Sequence, residues 1–471
     1  MKFEGIANST ALFVEQKQLI DTVLWKKFVN QFRIQMDGPK LEWRGEFWGK
    51  MMRAGALVYE YTKSSELYDI LTSTIRDIIT VAEPDGRVSS YSRDTEFDGW
   101  DLWCRKYVIL GSIYYLDICK DADLKKELVN FISRCADYIM LHIGPGKKSI
   151  TSASRSWLGL NSSSILEPIV KLYKLTGDKK YLDFATYIID CGGAEGINVF
   201  ELAYKNELYP YQYGVAKAYE MTSCFEGLLE YYLVTGIEKY KTAVTNFAYA
   251  VLESEVSIIG SCGVTHELFD HTRTRQTVRY DGVMQETCVT VTWMKFCSRV
   301  LELTDDPAFA DAMEQSFYNA YLASLNTENR ESRYMHEKYA DRNVKSSYLP
   351  FDSYCPLTPG KRGQKVGGNR MLEDNTYYGC CACIGGAGIG VFLKSAVTCK
   401  GDVLTVNFFE TGSGEFEING VPVTLKIKTN YPVSGKIRID ISAASPVSFT
   451  LRVRSPKWSE QPSGYMLYTK T

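Results

Sequence analysis

Leu-Thr-Gly-Asp-Lys-Lys-Tyr, residues 175–181, separates two stretches of helical pattern. Before it, residues 164–173 place apolar side chains three and four positions apart, and residues 181–189 do the same after it. Thr-Gly-Asp at the junction suits the end of one helix followed by the N-cap of the next. The segment therefore predicts a helical hairpin.

A similar phrase recurs along the chain. Its anchor positions are Thr62, Lys120, Thr176, Thr235 and Thr304, which are 58, 56, 59 and 69 residues apart. A period of this size indicates a repeated supersecondary unit. Repeated hairpins must stack on one another to bury their apolar faces.

Two long irregular segments, residues 257–285 and 327–380, interrupt this period. Stacked hairpins can form an open solenoid or a closed (α/α)6 toroid. Long glycine-rich loops are more typical of an enzyme toroid with one elaborated rim than of a binding solenoid. We therefore predict an (α/α)6 catalytic domain over residues 1–390.

After residue 390 the pattern changes to a period of two. Alternating apolar and polar residues predict strands at 403–408, 423–428, 436–441 and 448–454. Short alternating strands separated by turn residues are typical of an antiparallel β-sandwich. The predicted fold is thus mainly α, with a toroid followed by a truncated, incomplete β-sandwich over residues 391–471.

The composition excludes several classes of partner. A formal net charge of −2 gives no electrostatic footprint for nucleic acid, so we expect no nucleic-acid partner. The sequence has neither a spanning apolar stretch nor a secretory signal, so we expect no membrane partner and a cytoplasmic location. Thirteen scattered cysteines then favour reduced thiols or metal ligands over a disulfide framework. A homo-oligomer remains open.

The cysteines are densest in Cys-Cys-Ala-Cys at residues 380–383, beside a run of glycines. A second candidate segment carries Glu286 and Cys288. Zinc accepts thiolate sulfur and carboxylate oxygen in a tetrahedral shell, so these two residues and the Cys380-Cys381 pair could hold Zn²⁺. The alternative is that the isolated cysteines are buried core thiols, which is their commoner fate.

Glu-Thr-Cys at 286–288, Cys-Cys at 380–381 and Phe-Tyr-Asn at 317–319 resemble glycoside hydrolase family 127, the β-L-arabinofuranosidase family. The resemblance spans nearly the whole chain. It implies that Zn²⁺ is held by Glu286, Cys288, Cys380 and Cys381. It also implies that Cys380 is the nucleophile and that Glu267 is the acid/base.

The chain departs from the pattern of this family and resembles a divergent branch of it. Ala-Cys follows the cysteine pair where the family has Pro-Pro, which leaves Cys383 without an assigned role. Tyr107 and Lys217 stand where the family has two histidines that approach the sugar. The expected substrate-binding side chains are Glu46, Trp48, Trp103, Tyr107, Lys217 and His266.

The chemistry that the resemblance implies is retaining hydrolysis of a furanoside, in a small oligosaccharide or glycoside. A free thiol has a pKa of about 8.5, and coordination to zinc deprotonates it. Cys380 would attack the anomeric carbon while Glu267 donates a proton to the leaving oxygen. Water activated by the same carboxylate would then hydrolyse the thioglycosyl intermediate.

Two other functions remain open from the sequence. An inverting toroid glycosidase would need a second carboxylate about 6.5–9.5 Å from the acid, and Asp270 and Asp281 are candidates for it. A non-catalytic sugar-binding protein with a structural zinc is the other, because a closed site with four ligands is ordinarily structural.

Overall fold

A computed structural model describes residues 1–35, 43–154, 156–277, 285–355, 368–459 and Gly464. Asp281, one candidate for a second carboxylate, lies outside these residues. Within the described ranges, no helix is both long and apolar enough to cross a membrane.

Helices build most of the described chain. The first nine are α1 (Ile6–Val14), α2 (Thr22–Ile34), α3 (Glu46–Thr62), α4 (Ser65–Ile79), α5 (Asp101–Ile118), α6 (Ala122–His142), α7 (Leu160–Ser163), α8 (Leu166–Thr176) and α9 (Lys179–Asp190). They are followed by α10 (Val199–Lys205), α11 (Ala218–Thr235), α12 (Glu238–Ser254), α13 (Thr272–Arg275), α14 (Thr287–Thr304), α15 (Pro307–Gln315), α16 (Leu322–Ser324), α17 (Arg333–Lys338) and α18 (Cys380–Ala396).

The predicted helical hairpin is α8 followed by α9. Helix α8 ends at Gly177, whose φ of 70° is a left-handed conformation that glycine adopts without steric cost. Asp178 then caps α9 by accepting the backbone N–H of Lys180 at 3.1 Å. Asp306 caps α15 in the same way, by accepting the N–H of Ala308 at 2.9 Å. The recurring phrase thus marks the turns of successive hairpins.

Six helices of the described chain form a closed inner ring. In order around the ring, α3 contacts α5, α5 contacts α8, α8 contacts α11, α11 contacts α14, α14 contacts α18, and α18 contacts α3. Outer helices pack behind them, among them α4 on α3, α6 on α5, α9 on α8, α12 on α11 and α15 on α14. This arrangement confirms the (α/α)6 toroid.

Strands occupy the C-terminal region and a few short hairpins. They are β1 (Lys2–Phe3), β2 (Gly193–Ala194), β3 (Ile197–Asn198), β4 (Asn369–Met371), β5 (Tyr377–Gly379), β6 (Val397–Lys400), β7 (Val403–Val406), β8 (Gly412–Ile418), β9 (Val421–Thr429), β10 (Ile437–Ala443) and β11 (Thr450–Val453). Strands β7, β9, β10 and β11 confirm the four predicted ones.

Two sheets form the β region. One has the order β1-β8-β9-β10 and is antiparallel throughout, and the other has the order β11-β7-β6. Asn419 and Gly420, with φ of 52° and 76°, make the two-residue turn between β8 and β9. Strand β11 runs parallel to β7, with Thr450 opposite Val403, and this pair departs from the all-antiparallel expectation.

Buried polar contacts join the second sheet to the toroid. The guanidinium of Arg454, just after β11, forms ion pairs with Asp311 and Glu314 on α15. Tyr431 donates its hydroxyl to Glu314 at 2.7 Å, and Trp458 donates Nε1 to the same carboxylate at 3.0 Å. The sheets are therefore docked on the outer layer of the toroid.

Candidate active site

Four side chains predicted as metal ligands meet in the toroid. One ligand atom each from Glu286, Cys288, Cys380 and Cys381 lies within 4.8 Å of the others, and all four residues are buried. Cys381 Sγ is 3.5 Å from Glu286 Oε1, and the two sulfurs of the cysteine pair are 3.8 Å apart. Among the described residues, Glu286 Oε2 has no hydrogen-bond partner although it is buried. A donor set of three sulfurs and a carboxylate with an orphaned oxygen fits Zn²⁺.

The four residues of the cluster lie at the N-terminal ends of two helices, α14 and α18. Glu286 is the N-cap residue of α14, and Cys288 lies in its first turn. Cys380 and Cys381 open α18 directly after its N-cap residue, Gly379. The N-terminal ends of both helices carry a partial positive charge, which favours anionic ligands at this position. Adjacent ring helices therefore present their electropositive ends to one shared cluster.

The three thiols of the cluster differ in exposure and ionisation. Cys380 is 6% exposed, whereas Cys381 and Cys288 are 1% and 0% exposed. Hydrogen bonds from the Cys288 and Cys381 thiols hold the pKa of Cys380 well below its usual range. Burial raises the pKa of Cys288 and of Cys381 well above theirs. Cys380 is thus the most accessible of the three sulfurs and the first to ionise.

Burial also raises the pKa of the carboxylate ligand. The pKa of Glu286 rises to about 8, because its carboxyl group is desolvated and lies beside the negative charge of Cys380. The positive charge of Lys217 acts in the opposite direction but does not offset these effects. A cation bound at Glu286 would stabilise the ionised carboxylate and so lower its pKa.

Lys50 is a buried neighbour of the cluster that the sequence did not reveal. Its Nζ lies 3.9 Å from Cys288 Sγ and 2.9 Å from Glu46 Oε1. It also faces the rings of Tyr219, Tyr107 and Trp103, at 4.5, 5.1 and 5.6 Å from their centroids. The i, i+4 spacing of Glu46 and Lys50 among the apolar residues of the first turns of α3 was the available sequence signal.

Three predicted substrate residues lie around this lysine. Trp103 donates its indole N–H to Glu46, and the hydroxyl groups of Tyr107 and Tyr219 are hydrogen-bonded to each other. Burial raises the pKa of Glu46 to about 7, although the charge of Lys50 lowers it. Glu46, Trp103 and Tyr107 thus form one polar and aromatic wall beside the cluster.

The structure gives no support to a substrate role for Trp48. Its Nε1 donates to Thr74 Oγ1 on α4 at 3.0 Å, and its side chain is fully buried between α3 and α4. Positions two residues apart on a helix point in nearly opposite directions, so Trp48 cannot share the face of Glu46 and Lys50. Trp48 therefore lies away from this wall, although it is close to Glu46 and Lys50 in sequence.

Glu267 lies next to the cluster and has two partners. Its Oε2 forms an ion pair with Lys217, and its Oε1 accepts the hydroxyl of Tyr354 at 2.6 Å. Tyr354 also forms an isolated antiparallel β-bridge with Glu286, which connects Glu267 to the metal-ligand segment. The side chain of His266, next in sequence, is exposed. Sequence reasoning missed Tyr354, which follows a long irregular segment.

Gly368 closes one side of the Cys380 thiol. Its φ is 71°, and a Cβ added there would lie 2.3 Å from Cys380 Sγ. Its carbonyl accepts the N–H of Cys380 at 3.1 Å and Nε1 of Trp43 at 3.3 Å. Glycine is therefore required both by the backbone conformation and by the space next to the sulfur.

Comparisons with known proteins identify the family of the chain. Residues 5–357 match the profile of the β-L-arabinofuranosidase GH127 catalytic domain, and residues 403–466 match that of the GH127 middle domain. A non-reducing end β-L-arabinofuranosidase from Bifidobacterium longum subsp. longum is 20% identical over 366 residues, which are 71% of this chain and 51% of that protein. The chain thus spans about half the length of this curated relative.

Solved structures share the fold. A GH127 β-L-arabinofuranosidase from Geobacillus stearothermophilus T6 superposes with a TM-score of 0.70 at 20% identity, covering 98% of this chain and 75% of that one. A second GH127 β-arabinofuranosidase gives a TM-score of 0.69 at 17% identity, covering 96% and 69% of the two chains. The catalytic-domain profile covers most of the sequence, and the chain therefore belongs to glycoside hydrolase family 127, the β-L-arabinofuranosidase family.

Proposed function

We propose that this chain is a retaining glycoside hydrolase that acts on β-L-arabinofuranosides or closely related furanosides. Cys380 is the nucleophile and Glu267 the acid/base in this proposal. The observation that carries it is the buried cluster of Glu286, Cys288 and the Cys380-Cys381 pair, in a member of a family of β-L-arabinofuranosidases. Relatives named as β-L-arabinofuranosidases support the choice of sugar.

Zn²⁺ is the metal that we propose for this cluster. Its ligands would be Glu286 Oε and the sulfurs of Cys288, Cys380 and Cys381. Bound zinc would keep the Cys380 sulfur deprotonated and fixed in position. Mg²⁺ and Ca²⁺ prefer shells made only of oxygen, so three thiols argue against them.

The reaction would proceed in two displacements at the anomeric carbon. In the first, Cys380 Sγ forms a bond to this carbon, the bond to the leaving oxygen breaks, and Glu267 gives that oxygen a proton. In the second, Glu267 takes a proton from water, the water oxygen bonds to the anomeric carbon, and the sulfur leaves. Two inversions give net retention.

Several neighbours have defined tasks in this scheme. Lys217 and Tyr354 hold the carboxylate of Glu267 from both sides, and the leaving oxygen has to approach between them. Glu46, Trp103 and Tyr107 remain our proposed sugar contacts. In the structure each is at most 2% exposed, and their polar groups bond to one another, to Lys50 and to Tyr219. His266 is the remaining substrate candidate.

A combined measurement tests the proposal. We expect metal analysis of the purified protein to find about one zinc per chain, and NMR of the first-formed product to show a retained anomeric configuration. A trapping furanosyl reagent should add to the peptide containing Cys380, as seen by mass spectrometry. Inverted product without an adduct would overturn the thiolate mechanism in favour of two carboxylates.

The inverting alternative has little support from Asp270. Its carboxylate accepts the N–H of Thr265 at 3.1 Å and the hydroxyl of Thr272 at 2.9 Å, so it is engaged within its own loop. The structural-zinc alternative predicts that Cys380→Ser keeps both the fold and any furanosidase activity. For the domain division we propose residues 1–390 and 391–471; helix α18 of the ring continues past this boundary and ends at Ala396.

A further inference from the structure

The loop that carries Glu267 is anchored by a second, fully buried carboxylate. Glu255 directly follows α12 and is 0% exposed. Its Oε2 accepts the backbone N–H groups of Asp270 and Thr272, each at 3.1 Å, and its Oε1 accepts that of His271 at 3.1 Å. Three consecutive N–H groups of the loop therefore converge on one side chain.

This loop needs such an anchor because of its backbone conformation. His266, Glu267 and His271 have φ of 50°, 66° and 62°, which places three non-glycine residues in the left-handed region. Such conformations persist only where the surrounding structure over-determines them. The strain includes Glu267 itself, so whatever holds the loop also sets the direction of the Glu267 side chain.

Hydrogen bonds within the loop connect the segment held by Glu255 to the residues that precede Glu267. Asp270 accepts the N–H of Val264 at 3.4 Å and that of Thr265 at 3.1 Å. Thr272 Oγ1 donates to Asp270 at 2.9 Å and accepts the N–H of Gly263 at 2.9 Å. The residues on both sides of Glu267 are thus tied to the segment that Glu255 holds.

The opposite side of the loop is fixed on α11. Ala218 donates its N–H to the carbonyl of Glu267 at 3.0 Å, and Phe269 donates to the carbonyl of Ala216 at 2.7 Å. These bonds place Glu267 beside Lys217 at the start of that helix. Glu267 is therefore held between two supports, α11 on one side and the Glu255 carboxylate on the other.

We propose that Glu255 is a positioning residue for the acid/base. It would fix residues 263–272 so that the Glu267 carboxylate meets the leaving-group oxygen, and it would act through the backbone without touching the substrate. Both its oxygens are occupied by donors of the chain. The inference rests on the proposed role of Glu267 as acid/base.

Glu255→Gln is the most informative variant. It keeps the volume of the side chain, but its amide NH2 replaces one of the accepting oxygens and would face backbone N–H donors. We expect kcat for aryl β-L-arabinofuranosides with poor leaving groups to fall by about a hundredfold, since a small misplacement of a catalytic group has this effect. Substrates with activated leaving groups need little proton donation, so their kcat should change by only about twofold.

Two further variants make the result specific. Glu267→Gln is the reference and should show the same dependence on the leaving group, with a larger amplitude. Glu253→Gln is the matched control, because this carboxylate is exposed on the same helix end and should leave kcat and KM unchanged. Zinc content should equal that of the wild type in all three.

The outcomes are distinguishable. A dependence on leaving group in Glu267→Gln but an equal loss for all substrates, or no loss, in Glu255→Gln would overturn the positioning role alone. No dependence in Glu267→Gln would overturn the proposed function and the inference with it. If Glu255→Gln does not fold, Glu255→Asp, which keeps both oxygens and shortens their reach, provides the same comparison.

Discussion

Two buried clusters share helix α14 and balance their charge differently. At its start, Cys288 belongs to the thiol and carboxylate cluster described above. Two turns deeper, Lys295 Nζ lies 2.8 Å from Glu167 and 3.2 Å from Glu226. The deeper cluster thus contains a lysine of the chain between its carboxylates. The cluster at the rim has Lys50 only at its side, near Cys288.

The pKa values of Glu167 in the deeper cluster and Glu286 at the rim reflect this difference in charge. Burial acts to raise the pKa of both, but the charges of Lys295 and Lys171 bring that of Glu167 down to about 2. At Glu286 burial prevails and the pKa rises to about 8. Cations of the chain therefore favour the ionised form of Glu167, whereas burial still raises the pKa of Glu226 in the same cluster. At the rim, a metal ion would supply the positive charge that favours ionised Glu286.

The largest effect is expected from removing the thiol at the rim. Cys380→Ser should lower kcat/KM by roughly a thousandfold or more, because the hydroxyl is a far weaker nucleophile. Steady-state kinetics with an aryl furanoside measures this. Cys383→Ala is the control, since Cys383 is a buried thiol on the same helix outside the cluster of four. Equal losses in both variants would contradict a specific role for Cys380.

The second largest effect concerns the deeper cluster. Lys295→Met should destabilise the protein by about 3–5 kcal/mol, because it removes the cation that bonds to both Glu167 and Glu226 and leaves Glu167 with the more distant Lys171. Denaturant unfolding measures the change, and the folded fraction should keep its metal. Lys174→Met, which removes a half-exposed partner of Glu230, should change stability by less than about 1 kcal/mol. Similar values for the two variants would refute the contrast.

A smaller effect is expected from supplying the cation at the rim. Free zinc at about 100 times its dissociation constant should stabilise the chelator-treated protein by about 2.7 kcal/mol, because the ion binds the folded state. Thermal unfolding with added Zn²⁺ or Mg²⁺ measures the shift. Stabilisation by Mg²⁺ of the same size would contradict a thiol-based site.

The smallest effect is the pH dependence of metal affinity. With its pKa at about 8, Glu286 carries a proton at lower pH, and this proton must leave before the carboxylate can bind a cation. Affinity should therefore fall as the pH drops below 8, by about tenfold or 1.4 kcal/mol per pH unit for each proton released. Competition titrations between pH 6 and 9 measure this slope. A flat profile would contradict the raised pKa.

The sequence predicted the toroid from a local pattern, and it also named the four residues of the thiol and carboxylate cluster. Two of the recurring turns show the same features, a left-handed residue followed by an aspartate that caps the next helix: Gly177 with Asp178, and Asp305 with Asp306. Glu286 and Cys288 stand at the start of α14, and Cys380 and Cys381 at the start of α18. Each pair is therefore held together by one helix turn.

Other residues of the site depend on how the ring closes. Lys50 reaches Cys288 only because α3 lies next to α18 and across from α14, which no local pattern states. Tyr354 and Gly368 lie in irregular chain. The position of Tyr354 depends on its β-bridge with Glu286, and that of Gly368 on its left-handed φ. Trp48 shows the opposite case, since helical geometry turns its side chain away from Glu46 and Lys50 and towards Thr74.

The short strand β1 has a consequence for how this protein is made. Lys2 pairs with Ser413 and Phe3 with Gly412, so the first residues complete a sheet that belongs to the far end of the chain. During synthesis these residues leave the ribosome long before their partners in β8 exist, so the pairing that covers the edge of β8 forms between segments far apart in the sequence. Removing the sheets from the ring of helices would therefore leave Lys2 and Phe3 without their strand partners.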